Sequence, residues 1–402
     1  MWQKIKNIYH LMRAYAACIF FGFPSKKLTV IGVTGTDGKT TTSHMIYEIL
    51  KSVGKKVSLI SSIHAQIDEK LYDTGFHVTT PDPIALQKFL KKVADSNSKY
   101  LVLEVTSHGL DQNRIFGIDF NFAVLTNITH EHLDYHKSFE NYIFAKAKLF
   151  QRAKVSILNL DDPSFNKIKK LTNGKVVTYS INKKADFTQK DFLLKLKIPG
   201  DYNLSNALCA AALATQAGIG KQTITKALNT FQGIKGRMEE VDMGQDYRVI
   251  VDFAHTPNGL KQALKSLRFR AEDQRARIIA VFGAAGERDK LKRPKMGKIA
   301  ASYADICVLT AEDPRSEKVE DICGQIAQGL VKSGKREFRD FYKMYDRQKA
   351  IEFAVTLAQE NDVVAVFGKS HEKSMCFGKK EYPWDEFKIV ERAIKKKANE
   401  KE

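Results

Sequence analysis

Residues 28–42 read Leu28-Thr29-Val30-Ile31-Gly32-Val33-Thr34-Gly35-Thr36-Asp37-Gly38-Lys39-Thr40-Thr41-Thr42. An apolar, β-branched run enters a glycine-bracketed loop, and a helical pattern over 41–53 leaves it. Such a loop cradles phosphate. Successive backbone N–H groups and the positive helix N-terminus face the anion, and Lys39 is set to meet the terminal phosphates. The spacing from Gly35 to Gly38 is two residues tighter than in G-x-x-x-x-G-K-[ST], which makes the loop a variant of that pattern. A glycine turn by itself can be purely structural. With Lys39 and Thr40 in place, ATP or a relative is the ligand to explain.

Outward from this loop, β-branched runs at 28–33, 57–60, 100–105, 122–126, 155–159 and 176–179 alternate with helical patterns such as 83–94. The alternation predicts a mostly parallel sheet covered by helices on both faces. Residues 192–197 read as a late strand and 203–217 as a buried helix. Gly233-Ile234-Lys235-Gly236-Arg237 reads as a hinge, because its glycines admit unusual backbone angles. A second series follows, with strands at 248–253, 277–282, 305–310 and 362–367, whose ligand loops belong at the strand carboxyl ends. The expected fold class is α/β: a central P-loop ATPase domain with a mostly parallel sheet, then a C-terminal Rossmann-like doubly wound domain. The expected divisions are an N-terminal helical segment at 1–27, the central domain at 28–234 and the last domain at 235–402.

The 402 residues are 43% hydrophobic and 28% charged, an ordinary globular composition, but the net charge is +19. The basic residues are spread along the chain, so a general anion-attracting role is favoured over a nucleic-acid site. Five cysteines (Cys18, Cys209, Cys307, Cys323, Cys376) form no C-x-x-C pair. They suit a reducing cytoplasm and argue against a disulfide framework or a zinc ribbon. The apolar segment 9–23 is too short to span a bilayer and Arg13 interrupts it. It is expected to be an amphipathic helix packed on the next domain. Membrane-surface contact, with Lys4, Lys6 and Arg13 near acidic lipid, is the alternative.

Three further stretches carry chemistry. Leu101-Val102-Leu103-Glu104-Val105-Thr106-Ser107-His108 places a carboxylate at the end of a buried strand. Magnesium on nucleotide phosphates takes hard oxygen ligands, and Thr40 with Glu104 fits that pair. Thr126-Asn127-Ile128-Thr129-His130-Glu131-His132-Leu133-Asp134-Tyr135-His136 holds three histidines and two acids. Alone it is equally a zinc cluster or a solvated turn; its place after 122–126 favours the nucleotide metal. Tyr142-Ile143-Phe144-Ala145-Lys146-Ala147-Lys148-Leu149-Phe150 puts lysines on an apolar helix, where a snorkelling Lys146 is the plainer alternative.

In order, G-T-D-G-K-T-T-T, E-V-T-S-H, T-N-I-T-x-x-H-L-D-Y-H and A-K-x-x-L-F resemble the Mur ligase family of ATP-dependent amide-forming ligases, most closely its MurE type, the UDP-N-acetylmuramyl-tripeptide synthetases. Asn203-Leu204-Ser205-Asn206-Ala207, Gly236-Arg237-Met238-Glu239, Val251-Asp252-Phe253-Ala254-His255-Thr256-Pro257, Arg288-Asp289-Lys290 through Arg293-Pro294, and Gly368-Lys369-Ser370-His371-Glu372 agree with it. The resemblance implies that Gly35, Thr36, Asp37, Gly38, Lys39, Thr40 and Thr41 hold the ATP phosphates. It gives one magnesium to Thr40 and Glu104 and a second to His132, with Lys146 as a carbamylated lysine. Asn206, Arg237 and Asp252 match residues contacting adenine, phosphate and ribose. Thr79, Thr80, Thr106, Gln112 and Arg114 match those gripping the muramyl-peptide acceptor. Arg293, Glu312, Asp313, Arg315, Gly368 and Glu372 match those meeting the incoming amino acid.

The implied reaction phosphorylates the acceptor's glutamyl carboxylate with ATP, and the amine of a diamino acid then attacks the acyl phosphate. The catalytic set is Lys39, Glu104, His132 and Lys146, in a cytoplasmic monomer with small-molecule substrates and no nucleic acid. Two departures stand out. MurE-type chains begin with a separate domain that helps seat the uridine nucleotide, and here only 27 residues precede Leu28. The amino-acid motif, usually D-N-P-R where meso-diaminopimelate is added, reads Glu312-Asp313-Pro314-Arg315. Arg315 can pair bidentately with a distal carboxylate, while Asp313 replaces a neutral amide and would favour an extra ammonium. The G-K-S-H-E segment carries Ser370 where G-K-G-H-E is usual. meso-Diaminopimelate is favoured over lysine or another diamine. Competing readings are a folylpolyglutamate-like or cyanophycin-like ligase of the same superfamily, a nucleic-acid-stimulated ATPase, and a non-catalytic relative.

Overall fold

The structure is a computed structural model describing residues 2–74, 79–270 and 276–400. It comprises two compact units, Met1–Gln232 and Gly233–Glu402. The first unit runs α1 (Trp2–Phe21), β1 (Thr29–Thr34), α2 (Lys39–Ser52), β2 (Val57–Ile60), β3 (Ala65–Ile67), β4 (Lys70–Tyr72) and α3 (Pro83–Asp95). It continues β5 (Tyr100–Glu104), α4 (Ser107–Asp111), β6 (Phe120–Leu125), α5 (Leu133–His136), α6 (Phe139–Phe150) and β7 (Ala153–Asn159). Then come α7 (Phe165–Lys170), β8 (Lys175–Tyr179), α8 (Asp201–Gln216) and α9 (Lys221–Thr230). The eight strands form one sheet in the order β4-β3-β2-β5-β1-β6-β7-β8, parallel except for the β3 and β4 pairings.

β1 lies at the centre because all of it after Thr29 is buried, as a strand covered by helices on both faces must be. Val33 pairs with Glu104 of β5 and with Val124 of β6. Three neighbouring strands therefore deliver their carboxyl ends, and the loops after them, to one edge of the sheet. The helices that follow are started differently. Asp82, Thr106 and Ser138 cap α3, α4 and α6 by accepting backbone N–H groups. α2 has Gly38 at its cap, with φ 79° and no side-chain cap. Its first N–H groups are left to face whatever enters the loop.

The second unit runs β9 (Glu239–Glu240), β10 (Arg248–Asp252), α10 (Pro257–Arg270), β11 (Ile278–Phe282), α11 (Lys292–Tyr303), β12 (Ile306–Leu309) and α12 (Val319–Val331). β13 (Phe341–Lys343), α13 (Arg347–Leu357), β14 (Val363–Phe367), β15 (Ser374–Phe377), β16 (Lys380–Pro383) and α14 (Glu386–Asn399) complete it. Its sheet has the order β13-β12-β11-β14-β10-β9, parallel apart from the edge strand β9, and β15–β16 form a separate hairpin. Apolar clusters cover both faces, one from α10, α11 and α12 and one from α13 and α14. That is a doubly wound sheet.

One element differs from expectation. Residues 192–197 form no strand; they follow a short 3-10 turn, Gln189–Asp191, and Leu193 is 82% exposed. The Asn229 side chain on α9 accepts from Lys195 N at 2.7 Å and donates to the Leu193 carbonyl at 3.0 Å. One amide thus satisfies the backbone in place of a neighbouring strand. Among the described residues no helix is long and apolar enough to cross a membrane.

Gly32 in β1 is a packing constraint. A Cβ there would lie 2.8 Å from the Phe120 ring and 2.9 Å from Leu149 Cδ1. Gly32→Ala gains about 0.4–1 kcal/mol from the unfolded chain and costs about 1–3 kcal/mol in overpacking. The variant is expected to be less stable in urea denaturation; a midpoint equal to or above wild type would refute this account of the core.

Candidate active site

The phosphate loop is stitched to the end of β6. Thr36 N donates to the Asn127 carbonyl at 2.8 Å and Asp37 N to Asn127 Oδ1 at 3.0 Å. Thr126 Oγ1 and Asn127 Nδ2 both donate to the Asp37 carbonyl. A Cβ on Gly35 would fall 1.8 Å from Thr126 Oγ1, and one on Gly38 2.3 Å from Asn206 Oδ1. These two glycines are needed for close approach, and Asn206 lies against the start of α2.

Two lysines converge on this loop. Lys39 Nζ donates to the carbonyls of Gly35 at 3.1 Å and Thr36 at 2.9 Å. Lys146 Nζ donates to the same Gly35 carbonyl at 2.7 Å. Lys146 is 1% exposed, so it does not snorkel. Burial, and then the neighbouring Lys39 charge, hold its amine well below the ordinary lysine range. Its Nζ also lies over the Tyr142 ring, 4.8 Å from the centroid. The Tyr142 hydroxyl is 3.0 Å from Thr36 Oγ1.

Thr40 Oγ1, one residue past Lys39, donates to Glu104 Oε2 at 3.3 Å and lies 3.0 Å from Ser62 Oγ. Glu104 is fully buried at the end of β5. A hydroxyl and a carboxylate oxygen this close are a hard-oxygen donor pair of the kind magnesium takes. His132 stands at the N-cap of α5 with φ 58°, its ring 6.0 Å from Tyr142 and 4.8 Å from His108. His136 is 3.0 Å from Ser107 Oγ, and burial pushes it down to about 4, so its ring is neutral. Among the described residues no three His, Cys, Asp or Glu side chains converge on one point as a zinc site requires. The histidines are packed ring to ring.

The acceptor candidates form the adjoining wall. Thr80 Oγ1 donates to the Glu104 carbonyl at 3.2 Å and accepts from Thr106 N at 2.9 Å. Arg114 donates to the Thr80 carbonyl and to Gln112 Oε1, and Gln112 Nε2 donates to the Tyr135 hydroxyl. Thr79 is partly buried beside them; 75–78 lie outside the described residues. Glu104 therefore faces Thr40 with its carboxylate and Thr80 with its backbone.

In the second unit, Arg237 lies over the Phe253 ring at 4.4 Å. Asp252 accepts from Met238 N and Ala254 N, each at 2.8 Å, and burial raises its carboxyl against the opposing Arg237 charge. Ser370 has φ 47°, and its hydroxyl donates to the Gly236 carbonyl at 2.6 Å, which gives the serine of G-K-S-H-E a structural function. Gly368 N donates to the Asp252 carbonyl.

Glu312, Asp313, Arg315, Gly368 and Glu372 gather beside it. Glu312 is 5% exposed, its Oε2 has no hydrogen-bond partner, and burial pushes its carboxyl up to about 7. A Cβ on Gly368 would fall 2.3 Å from that oxygen. Arg315 is partly exposed and Nη1 donates to the Gly286 carbonyl at 2.6 Å. Two expectations change here. Asp313 does not hold an open negative charge, because Oδ1 accepts from buried Lys369 Nζ at 2.7 Å and from Cys376 N at 2.9 Å. Arg293 is already engaged: fully buried, it donates to both Glu317 oxygens, Gln325 and the Ala285 carbonyl.

Several contributors were not singled out from the sequence. Asp162 Oδ2 accepts from Ile128 N, Asn159 donates to the Thr126 carbonyl, and the Tyr179 hydroxyl donates to the carbonyls of Leu125 and Thr126. Together they fix the loop that fixes the phosphate loop. Lys369 stood within a quoted motif without a role, and only its burial between Asp313 and Glu372 reveals one.

Comparison with known proteins agrees with this arrangement. The Mur ligase middle domain matches residues 33–214, and the Mur ligase glutamate ligase domain matches 236–370. The UDP-N-acetylmuramoyl-L-alanyl-D-glutamate--2,6-diaminopimelate ligase of Caldanaerobacter subterraneus subsp. tengcongensis is 38% identical over 400 residues, covering 95% of this chain and 81% of the relative. The Bacillus licheniformis protein of the same name is 37% identical over 416 residues, covering 96% and 83%. A solved structure of a ligase of that name superposes with TM-score 0.60 at 32% identity, covering 92% of this chain and 79% of the other. Mycobacterium tuberculosis folylpolyglutamate synthase, at 16% identity and TM-score 0.70 over 89% and 92%, shares the fold. With a phosphate loop, a strand-end glutamate and a buried lysine gathered in one domain and matched across most of both chains, this protein belongs to the Mur ligase family of ATP-dependent amide-forming ligases.

Proposed function

We propose that the chain adds meso-diaminopimelate to the D-glutamyl carboxylate of a muramyl-dipeptide acceptor, with ATP cleaved to ADP and phosphate. The observation that carries this reading is the meeting of Lys39 and Lys146 on the Gly35 carbonyl, in the same loop as the Thr40–Glu104 pair. In the proposed reaction the acceptor carboxylate attacks the γ-phosphorus and ADP leaves. The amine of the diamino acid then attacks the acyl carbon, phosphate departs, and the amine loses a proton. Lys39 and the N–H groups of α2 hold the phosphates in line. Thr80, Thr106, Gln112 and Arg114 position the acceptor beside Glu104. Asn206, Arg237 and Asp252 take the adenine, phosphate and ribose.

Two magnesium ions, when bound, supply charge neutralisation on the phosphoryl group. Thr40 and Glu104 would hold one, and His132 with a carbamylated Lys146 the other. A neutral amine is the form that adds carbon dioxide, and burial beside Lys39 favours that form. Carbamylation would turn that neutral amine into an anion beside the Lys39 cation. The reading implies a monomeric cytoplasmic enzyme with small-molecule substrates and no nucleic acid. The relatives' printed names, and Arg315 as a partner for a second carboxylate, favour the diamino diacid over lysine.

Phosphate release from ATP, screened over acceptors with and without UDP and over meso-diaminopimelate, lysine and ornithine, tests the function. Turnover is expected only with a muramyl-dipeptide acceptor and the diamino diacid together. Turnover stimulated by RNA or DNA and indifferent to amino acids would overturn it. Lys146→Ala is expected to lower ligation by about 10²-fold or more, the scale of losing one charge-stabilising group. A short carboxylate such as formate should restore part of it; wild-type activity in the variant would remove Lys146 from the mechanism.

Glu312 generates a pH prediction. Burial pushes its carboxyl up to about 7, and an ammonium arriving beside it favours the ionised form. Amino-acid binding is then tighter above that value and weaker below it. Affinity measured by calorimetry is expected to rise about 10-fold as pH climbs from roughly one unit below 7 to one unit above, with proton release. Glu312→Gln should flatten that dependence. An unchanged slope in the variant would place the titration elsewhere.

A further inference from the structure

We propose that the outward face of α1 docks on an anionic lipid surface, independently of the reaction read above. The helix has an apolar side in use and an apolar side left over. Inward, Ala14, Ala17 and Cys18 are buried, α1 packs on α3, and Cys18 Sγ donates to the Phe116 carbonyl at 3.2 Å. Outward, Ile8, Met12, Tyr15 and Ile19 are 57%, 60%, 54% and 56% exposed. Their spacing of four, three and four residues makes one continuous stripe, flanked by exposed Tyr9 and Phe20. Single exposed apolar residues are ordinary; a stripe of four along about three turns is not.

Charge selects the occupant. Residues 1–27 contain Lys4, Lys6, Arg13, Lys26 and Lys27 and no acidic residue. Lys6, Lys26 and Lys27 are exposed. An apolar stripe with aromatic residues and basic flanks is the pattern of a helix lying in a membrane interface. No described helix is apolar enough to span one. A second copy fits less well, because each chain carries +19 and like charges oppose close approach.

The docked face also has a defined relation to the candidate acceptor wall. Asn7 Nδ2 donates to Asp111 Oδ2 at 3.1 Å, and that oxygen accepts the Tyr135 hydroxyl at 2.9 Å. Arg13 lies 3.8 Å from Asp82, and the Tyr15 ring meets Phe116 edge-on. α1 is thus anchored to the segment that carries Gln112 and Arg114. Lipid contact would hold this edge of the first unit at the bilayer surface.

Sedimentation of the full chain with vesicles tests the proposal. Vesicles of phosphatidylcholine with about one-third phosphatidylglycerol should carry the protein down; pure phosphatidylcholine or raised salt should release it. Met12→Ser/Ile19→Ser/Phe20→Ser replaces exposed side chains only and should leave the thermal unfolding midpoint in place. Its partitioning is expected to fall by about 10-fold or more, while Leu193→Ser, at an exposed apolar residue elsewhere, binds as wild type. The proposal is overturned if wild type stays in the supernatant or if the triple variant binds equally well. It is equally overturned if wild type is a dimer without lipid that the triple variant dissolves.

Discussion

A buried amine and a half-buried one share one backbone carbonyl, and the first unit is arranged so that they can. Gly35 offers its carbonyl to both Lys39 and Lys146 because its α-carbon is pressed against Thr126, where no side chain fits. Burial of Lys146 first, and the nearby Lys39 charge second, push its amine well below the ordinary lysine range and favour the neutral form. A lysine in that state is no longer a counter-ion. In the proposed function it is the nucleophile that takes up carbon dioxide. The Tyr142 ring above it and the Thr36 hydroxyl beyond tie the amine to the phosphate loop.

The sheet explains how such distant residues meet. β5, β1 and β6 lie side by side, so their carboxyl ends carry Glu104, the phosphate loop and Thr126–Asn127 to one edge. Glu104 then joins two functions through two of its groups: its carboxylate accepts from Thr40 and its carbonyl from Thr80. The second unit uses the same device. Gly368, after β14, bonds the Asp252 carbonyl at the end of β10, and Glu312 Oε2 lies where a Cβ on Gly368 would fall. Lys369 lies between Asp313 and Glu372 there, while Glu312 Oε2 has no hydrogen-bond partner.

Much of this was legible in the chain because the central strands are continuous apolar runs ending in short, chemically distinctive loops. The phosphate loop, Glu104 and the buried helix with Lys146 needed only those runs to be placed. The edge pieces β3, β4, β9 and β13 are two or three residues long, too short for a period-of-two signal to emerge. Residues 192–197 alternate like a strand, but the partner that satisfies them is an asparagine on α9, which no local pattern announces. The charge balance at Asp313 and the enclosure of Arg293 by Glu317 were hidden for a related reason. Both are long-range pairings, decided by which acid a buried cation meets. The outward stripe of α1 was visible as an apolar segment, but which side faced outward required the packing on α3.

The central claim is that the buried amine of Lys146 takes up carbon dioxide and becomes an anionic ligand at the phosphate site. Carbon-13 NMR of the protein in labelled bicarbonate tests this most directly. The account predicts a carbamate carbonyl signal in the wild-type protein that is missing from Lys146→Ala. A ligation-competent sample without that signal, or one in which the signal survives in the variant, would contradict it.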